Sequence, residues 1–349
     1  MPSMVYGDIT PRQAAFSVAN LLKRAQPLLV IERFGQVYVL PKNNTRVAKF
    51  RRYFLENSTG SVSGNAGNAA MPLATTPLVE GVTPAGRKLA SKDYTVQLEQ
   101  YGDFIGFTDV IMDVHEDFPA VLRELTDILG EQAAQTVETL RFNVLKAGTN
   151  VFYANGVLRT DVNTPVSLVL QRRITRALKR QNASPHTTVV KSTPAYNTQP
   201  IEASYIGLIH PDLENDIRNI NGFISTKHYA SVQPMEGEIG AVEDVRYIRS
   251  TVFQPWADAG GAAGSTMLST TGTQADVYPI LYLARDAYGI VPLKGDAVNG
   301  SSVSVMVVNP KPTNTDPLGQ RGTAAWKLWS ATVILQDAFI IRAEVAATA

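Results

Sequence analysis

A run of apolar residues at steps of three and four between Phe118 and Ala147 constrains this chain more than any other feature. Phe118, Val121, Leu122, Leu125, Ile128, Leu129, Ala133, Val137, Leu140 and Val144 fall on one stripe, which is the signature of an amphipathic helix. Asp117 can cap it, Pro119 lies in its first turn and Gly148 ends it. Such a helix is about 45 Å long at 1.5 Å per residue, longer than a compact domain usually needs. Leu125 and Leu140 are its expected core contacts, and Gly130 is expected to bend it slightly.

The segments around this rod read as shorter elements. Thr10-Pro11 starts a helix that Pro27 ends, with a hydroxyl cap and a proline where its missing N–H costs nothing. Leu28–Phe34 and Gln36–Leu40 flank Gly35 as short strands. Residues 45–56 are basic and aromatic. Residues 58–70 are a small-residue linker that cannot build a core, so neighbouring copies of the chain are the expected support. From Pro77 to Asp109 the pattern predicts two long strands joined at Thr83-Pro84-Ala85-Gly86, a projecting hairpin. An isolated hairpin is marginal in water and should lie on a partner.

Thr164-Pro165 opens a second helix to about Asn182. Leu168, Val169, Ile174 and Leu178 form its apolar side; Arg172, Arg173, Arg176, Lys179 and Arg180 form the other. Ile206–Ile209 predicts a buried strand, and His210-Pro211 a helix start. Residues 257–275 predict an exposed loop. Val277–Leu283, Val303–Val308, Lys327–Leu335 and Phe339–Val345 predict strands, the last with Arg342 and Glu344 on its polar face. Helices and strands in segregated runs argue for an α+β fold.

Composition narrows the function classes. A net charge of +1 is far from the basic excess of a protein that condenses nucleic acid. Charged residues make up 18%, below the usual quarter, which suits a surface covered by copies of itself. There is no cysteine, so disulfides and thiolate metal sites are excluded. No apolar stretch approaches a membrane span, and the N-terminus lacks a signal-peptide pattern. A soluble chain made in a cytoplasm is the expectation.

No catalytic constellation emerges, and neither a cofactor nor a metal is expected. Gly81–Lys88 has the glycine spacing of a phosphate loop, but Arg87, Lys88 and Leu89 stand where lysine and a hydroxyl are needed. His115-Glu116-Asp117 reads as the approach to a helix, and Glu236-Gly237-Glu238 as a solvated loop rather than a cation site. No serine sits in a Gly-x-Ser-x-Gly elbow. The basic helix face at 172–180 offers a nucleic-acid surface, but with no interleaved aromatics it reads rather as solvated or subunit-bridging. Lys49, Arg51 and Arg52, beside Phe50 and Tyr53, either face nucleic acid or pair with a neighbour's Glu131 or Glu138.

Several short segments then fall in a telling order. They are Thr75–Pro84, Glu99-Gln100-Tyr101-Gly102, Thr108-Asp109, His115-Glu116-Asp117, Arg285–Gly289, Asp316–Gly322 and Trp326-Lys327. As an ordered set over roughly residues 33–346, the chain resembles the major capsid proteins of tailed double-stranded-DNA phages, in particular the N-four-like group with the Hong Kong 97 fold. The resemblance implies an N-terminal arm (1–57), a linker and E-loop (58–110), a peripheral P-domain with the spine helix (111–151 and again 287–349) and an axial A-domain (152–286). It implies that Glu80, Arg87, Lys88 and Glu99 contact other subunits. It further implies pentamers and hexamers of an icosahedral virion shell, assembled in the bacterial cytoplasm around double-stranded DNA that is contacted without sequence preference. Scaffolding, portal and decoration proteins are the implied partners, and no membrane. An encapsulin-like cellular compartment of the same fold is the alternative. Neither cleavage nor an internal scaffold is expected.

Overall fold

The computed structural model describes residues 29–41, 43, 45–55, 77–83, 86, 88–115, 118–187, 203–229, 234–293 and 303–349. The expected helix from Thr10, the linker 58–70, the turn residues Pro84 and Ala85, and Arg87 lie outside them. In chain order the elements are β1 (Gln36–Val37), β2 (Val47–Leu55), β3 (Leu89–Gln97), β4 (Glu99–Thr108), α1 (Asp109–Val114), α2 (Phe118–Lys146), β5 (Val151–Tyr153), α3 (Leu168–Arg180) and β6 (Tyr205–Ile209). Then follow α4 (Glu214–Arg218), β7 (Phe223–Ser225), β8 (Glu238–Val242), β9 (Val245–Arg249), β10 (Val277–Leu283), β11 (Tyr288–Pro292), β12 (Val303–Val308), β13 (Arg321–Ile334) and β14 (Ile340–Ala346).

Three sheets form among the described residues. In the first, β13 pairs antiparallel with β4 along one edge, from Arg321 opposite Thr108 to Ser330 opposite Glu99. It pairs with β12 along the other edge and with β11 beyond, and β1 joins β11 in parallel. Alternation assigns the faces. Ala324, Trp326 and Leu328 point inward with Phe107 and Ile105 of β4, and pack on Leu129 and Ala133 of α2. The Trp326 Nε1 donates to Gln132 of α2 at 3.0 Å, so the buried indole keeps a polar partner.

The second sheet has the order β5-β14-β10-β6-β9-β8-β7 and is buried on both faces. Tyr205, Ile209, Ile280, Tyr282, Ile341, Ala343 and Val345 meet Leu170, Ile174 and Leu178 of α3. Ile206, Leu208, Leu281 and Leu283 meet Phe142 and Leu145 at the far end of α2. Ser167 caps α3 by accepting from the Leu170 N–H at 3.2 Å. Inside this core the Tyr247 hydroxyl bridges Gln171 (2.9 Å) and Tyr282 (3.1 Å), and Gln171 donates to the Val242 carbonyl at 2.6 Å. These polar groups are buried but paired, as burial requires.

The third sheet is the ribbon β2–β3, and it corrects the expected hairpin. β3 and β4 are consecutive but do not pair: β3 joins β2, and β4 joins β13. The switch is at Leu98. Its side chain is buried with Leu40, Ala48, Val291 and Ala331, and its N–H donates to the Arg46 carbonyl at 2.9 Å. A buried leucine between two strands holds the chain at the root and turns it from one sheet into the next. Residues 77–83 carry a turn rather than a strand.

Other expectations change for local reasons. Ile31–Arg33 is a 3-10 turn, not a strand, because the buried Glu138 carboxylate of α2 accepts the Val30 and Ile31 N–H groups at 2.6 and 2.7 Å. That also removes Glu138 as a neighbour's partner for the basic residues. Burial pushes the Glu138 carboxyl up, against the pull of these two donors and Arg141. The second helix begins at Leu168 rather than Thr164, leaving Val169 exposed and Leu170 buried. Residues 257–275 are not a free loop. The buried Asp276 carboxylate accepts from the Asp258 and Thr270 N–H groups, and Ala263 and Ala275 are buried. β13 starts six residues before the expected Lys327. β14 lies in the second sheet with β10, so the boundary at 287 divides paired strands.

α2 has the expected length, but its stripe turns. Leu125, Leu129 and Ala133 are buried; beyond them the inward side carries Glu138, Arg141, Phe142 and Leu145, and Leu140 is only half-buried. The two leucines should therefore respond differently. Leu125→Asp buries an unpaired charge at a cost of about 3–5 kcal/mol and is expected to unfold the helix–sheet layer. Leu140→Asp is expected to leave the isolated chain folded. Urea unfolding followed by circular dichroism separates the two, and equal losses would mean that both face the core.

Candidate assembly surfaces

The ribbon β2–β3 is poorly supported by the rest of the described chain. Nine residue pairs run from Val47 opposite Gln97 to Leu55 opposite Leu89, yet no residue of β3 is buried. Its root is fixed: Ala48 is buried, and Phe50 lies so close to Gly289 that an added Cβ there would stand 2.7 Å from the ring. A cleft of about 380 Å³ at this root is lined by Phe50, Arg51, Arg52, Tyr94 and Gln336, among others. Beyond the root, Tyr53 and Leu89 are exposed. A two-stranded ribbon of this kind is marginal alone.

The basic triplet stands on this ribbon. Lys49 is opposite Thr95 and exposed. Arg51 is opposite Asp93 and donates to both of its oxygens, at 2.7 and 2.9 Å. The Arg51 guanidinium holds the Asp93 carboxyl below the usual range. Arg52 donates to the Gln336 side chain. Two of the three cations thus have partners in their own chain, and the arm boundary at residue 57 separates strands that the structure joins.

Of the four residues expected at subunit contacts, the three described ones, Glu80, Lys88 and Glu99, do not form one site. Glu80 lies in the exposed turn closed by the Val82 N–H and the Val79 carbonyl (3.1 Å), beside exposed Leu78, Val79 and Val82. Lys88 is exposed next to the far end of β3. Glu99 opens β4 in the first sheet, opposite Ser330, and accepts from the Tyr101 hydroxyl at 2.8 Å. Arg87 lies outside the described residues. The glutamates of 236–238 diverge: Glu238 is buried against Arg246 (2.6 Å), while Glu236 pairs with Arg33 (2.6 Å). Among the described residues no group of three or more His, Asp or Glu could hold a metal.

One charged cluster escaped sequence reasoning. Trp256 has the Lys146 Nζ at 3.8 Å and the Arg159 guanidinium at 3.6 Å from its ring centre, with Arg342 at 5.6 Å. Glu344, fully buried, takes two bonds from Arg159 (2.7 and 2.8 Å) and lies 2.9 Å from Arg342. Alternation along β14 put Arg342 and Glu344 together on one face. The strand gives no sign of Arg159, which is 185 positions away. Burial, then Arg159 and Arg342, push the Lys146 ammonium down from 10.5 to about 8. A lysine with a depressed folded-state pKa binds fewer protons than in the unfolded chain between these two values. Its contribution to stability therefore rises as pH increases from about 8 to 10.5. Lys146→Met is expected to flatten that rise in melting temperature relative to the parent protein. An identical pH profile for both would disprove the placement.

The model of the family described as phage capsid protein matches residues 92–343. The major capsid protein of Pseudomonas phage KPP21 is 23% identical over 261 residues, covering 70% of this chain and 65% of the relative. The chain thus accounts for about two-thirds of that protein's length. Among solved structures, the capsid of Ralstonia phage GP4 aligns over 97% of this chain and 98% of its own, with TM-score 0.59 and 14% identity. The capsid of cyanophage P-SCSP1u aligns over 95% and 92%, with TM-score 0.57 and 11% identity. An encapsulin complex from Synechococcus elongatus aligns over 90% and 86%, with TM-score 0.51 and 11% identity. At these identities the likeness shows the fold, the Hong Kong 97 type in its α+β form. The family match covers most of the two packed sheets, α2 and α3, and with it the chain belongs to the phage capsid protein family.

Proposed function

We propose that this chain is a major capsid protein that assembles with copies of itself into the pentamers and hexamers of an icosahedral phage head around double-stranded DNA. The observation that carries the reading is the ribbon β2–β3, which has a fixed root and no buried residue along β3. A neighbouring copy would cover what the chain itself leaves open. No chemistry is required of it. The ribbon takes the E-loop role, with β2 as its first strand. The first sheet with α2 takes the P-domain role, and the second sheet with α3 that of the A-domain. Assembly in the bacterial cytoplasm, with scaffolding, portal or decoration proteins as further partners, belongs to the same reading. The family match favours a virion shell over an encapsulin-like compartment.

Two experiments test the shell reading. The first is negative-stain microscopy with sedimentation of the expressed chain, for which shells, rings or capsomers are expected. A stable monomer at all concentrations would refute it. The second removes the ribbon and spares its root. Replacing residues 52–92 by Asn-Gly leaves Arg51 and Asp93 flanking a two-residue turn. The variant is expected to melt cooperatively yet to form no shells. Normal shells from it would remove the ribbon from the lattice.

A further inference from the structure

A dense run of cations stands on α3 as well as on the ribbon. Five cations, Arg172, Arg173, Arg176, Lys179 and Arg180, occur within nine residues. The β8–β9 turn faces them. Glu243, held at a φ of 48°, pairs with Arg172, and Asp244 pairs with Lys179. Arg176 and Arg180 are exposed and make no ion pair among the described residues. One turn apart on the helix, their Cα atoms are separated by about 6 Å along its axis. Together these side chains and Thr175 line an open groove of about 520 Å³.

The composition of the groove selects its occupant. Every lining side chain is polar or charged. A peptide anchored by an apolar side chain would need an apolar pocket, and no apolar side chain lines this groove. Single-stranded nucleic acid would need aromatic rings on which to stack bases, and none lines the groove. What remains is a polymer recognised by regular negative charge alone. We infer that the α3 groove binds the phosphate backbone of double-stranded nucleic acid through Arg176 and Arg180, without reading its sequence. Glu243 and Asp244 moderate the affinity by occupying Arg172 and Lys179. Phosphate contacts fix position and carry no sequence information, which suits a surface facing packed DNA. The inference rests on the shell reading only for the source of the duplex.

The test uses the full chain kept unassembled, verified by sedimentation, and a labelled random-sequence DNA duplex followed by fluorescence anisotropy. Each lost phosphate contact lowers the slope of log affinity against log salt by about 0.9. Arg176→Gln/Arg180→Gln is expected to weaken binding about tenfold or more and to flatten the slope by about 1.8. Glu243→Gln frees Arg172 and should steepen the slope by about 0.9, a gain that misfolding cannot produce. Parent-like slopes in both variants would overturn the inference, as would polyglutamate competing as well as the duplex. Shell formation is read separately by microscopy. The arginine variant is expected to form normal empty shells, and shells lost in it alone would make this face a lattice contact and overturn the DNA assignment. A parent chain that binds duplex but never assembles would instead refute the shell reading.

Discussion

The length of α2 governs the architecture. A rod of 29 residues cannot be buried by one layer, and its two halves serve different cores. The first half lays Leu129 and Ala133 on the Trp326 face of the first sheet; the last turns insert Phe142 and Leu145 beneath the second. Between them Glu138 faces inward and accepts two backbone N–H groups from Val30 and Ile31. The helix thus joins two sheets and anchors the described start of the chain. Removing it would expose apolar faces on both sheets at once.

Charge burial follows the same logic at the end of the rod. Glu344 is fully buried, and a buried carboxylate is tolerated only when paired and hydrogen-bonded. Arg159 and Arg342 supply that pairing, and Arg342 also donates to the Lys146 carbonyl, so the cluster binds β14 to the last turn of α2. The cost falls on Lys146, which crowds the same indole with two guanidinium groups nearby. Opposite charges meet here in unequal number, which makes this the titratable point of an otherwise apolar junction.

The ribbon contrasts with these layers. Its strands pair over nine residues, yet among the described side chains only Ala48, Phe50 and Val96 pack into a core. Arg51 and Asp93 satisfy each other across it, but an exposed pair stabilises little. An element so regular and so poorly buried is readily explained by a second molecule. The family assignment makes another copy of the chain the natural candidate.

How much of this was legible in the sequence depends on how local the deciding interaction is. The long helix, the basic face of α3 and the strand at Val277–Leu283 follow from residues near one another in the chain, because period and propensity are local. The ordered short segments also led to the family, since they record a whole fold in sequence. Local pattern did not carry the pairing partners. Nothing around Leu98 says that β3 will leave β4 for β2; that is set by the burial of Leu98 against Val291 and Ala331, far along the chain. The inward turn of α2 to Glu138 depends on Val30 and Ile31, more than 100 residues earlier. Sequence determined which segments could become helices and strands, through spacing and turn chemistry. Only tertiary structure decided which strand lies beside which and which charges are buried, because those outcomes rest on contacts and desolvation between segments remote in the chain.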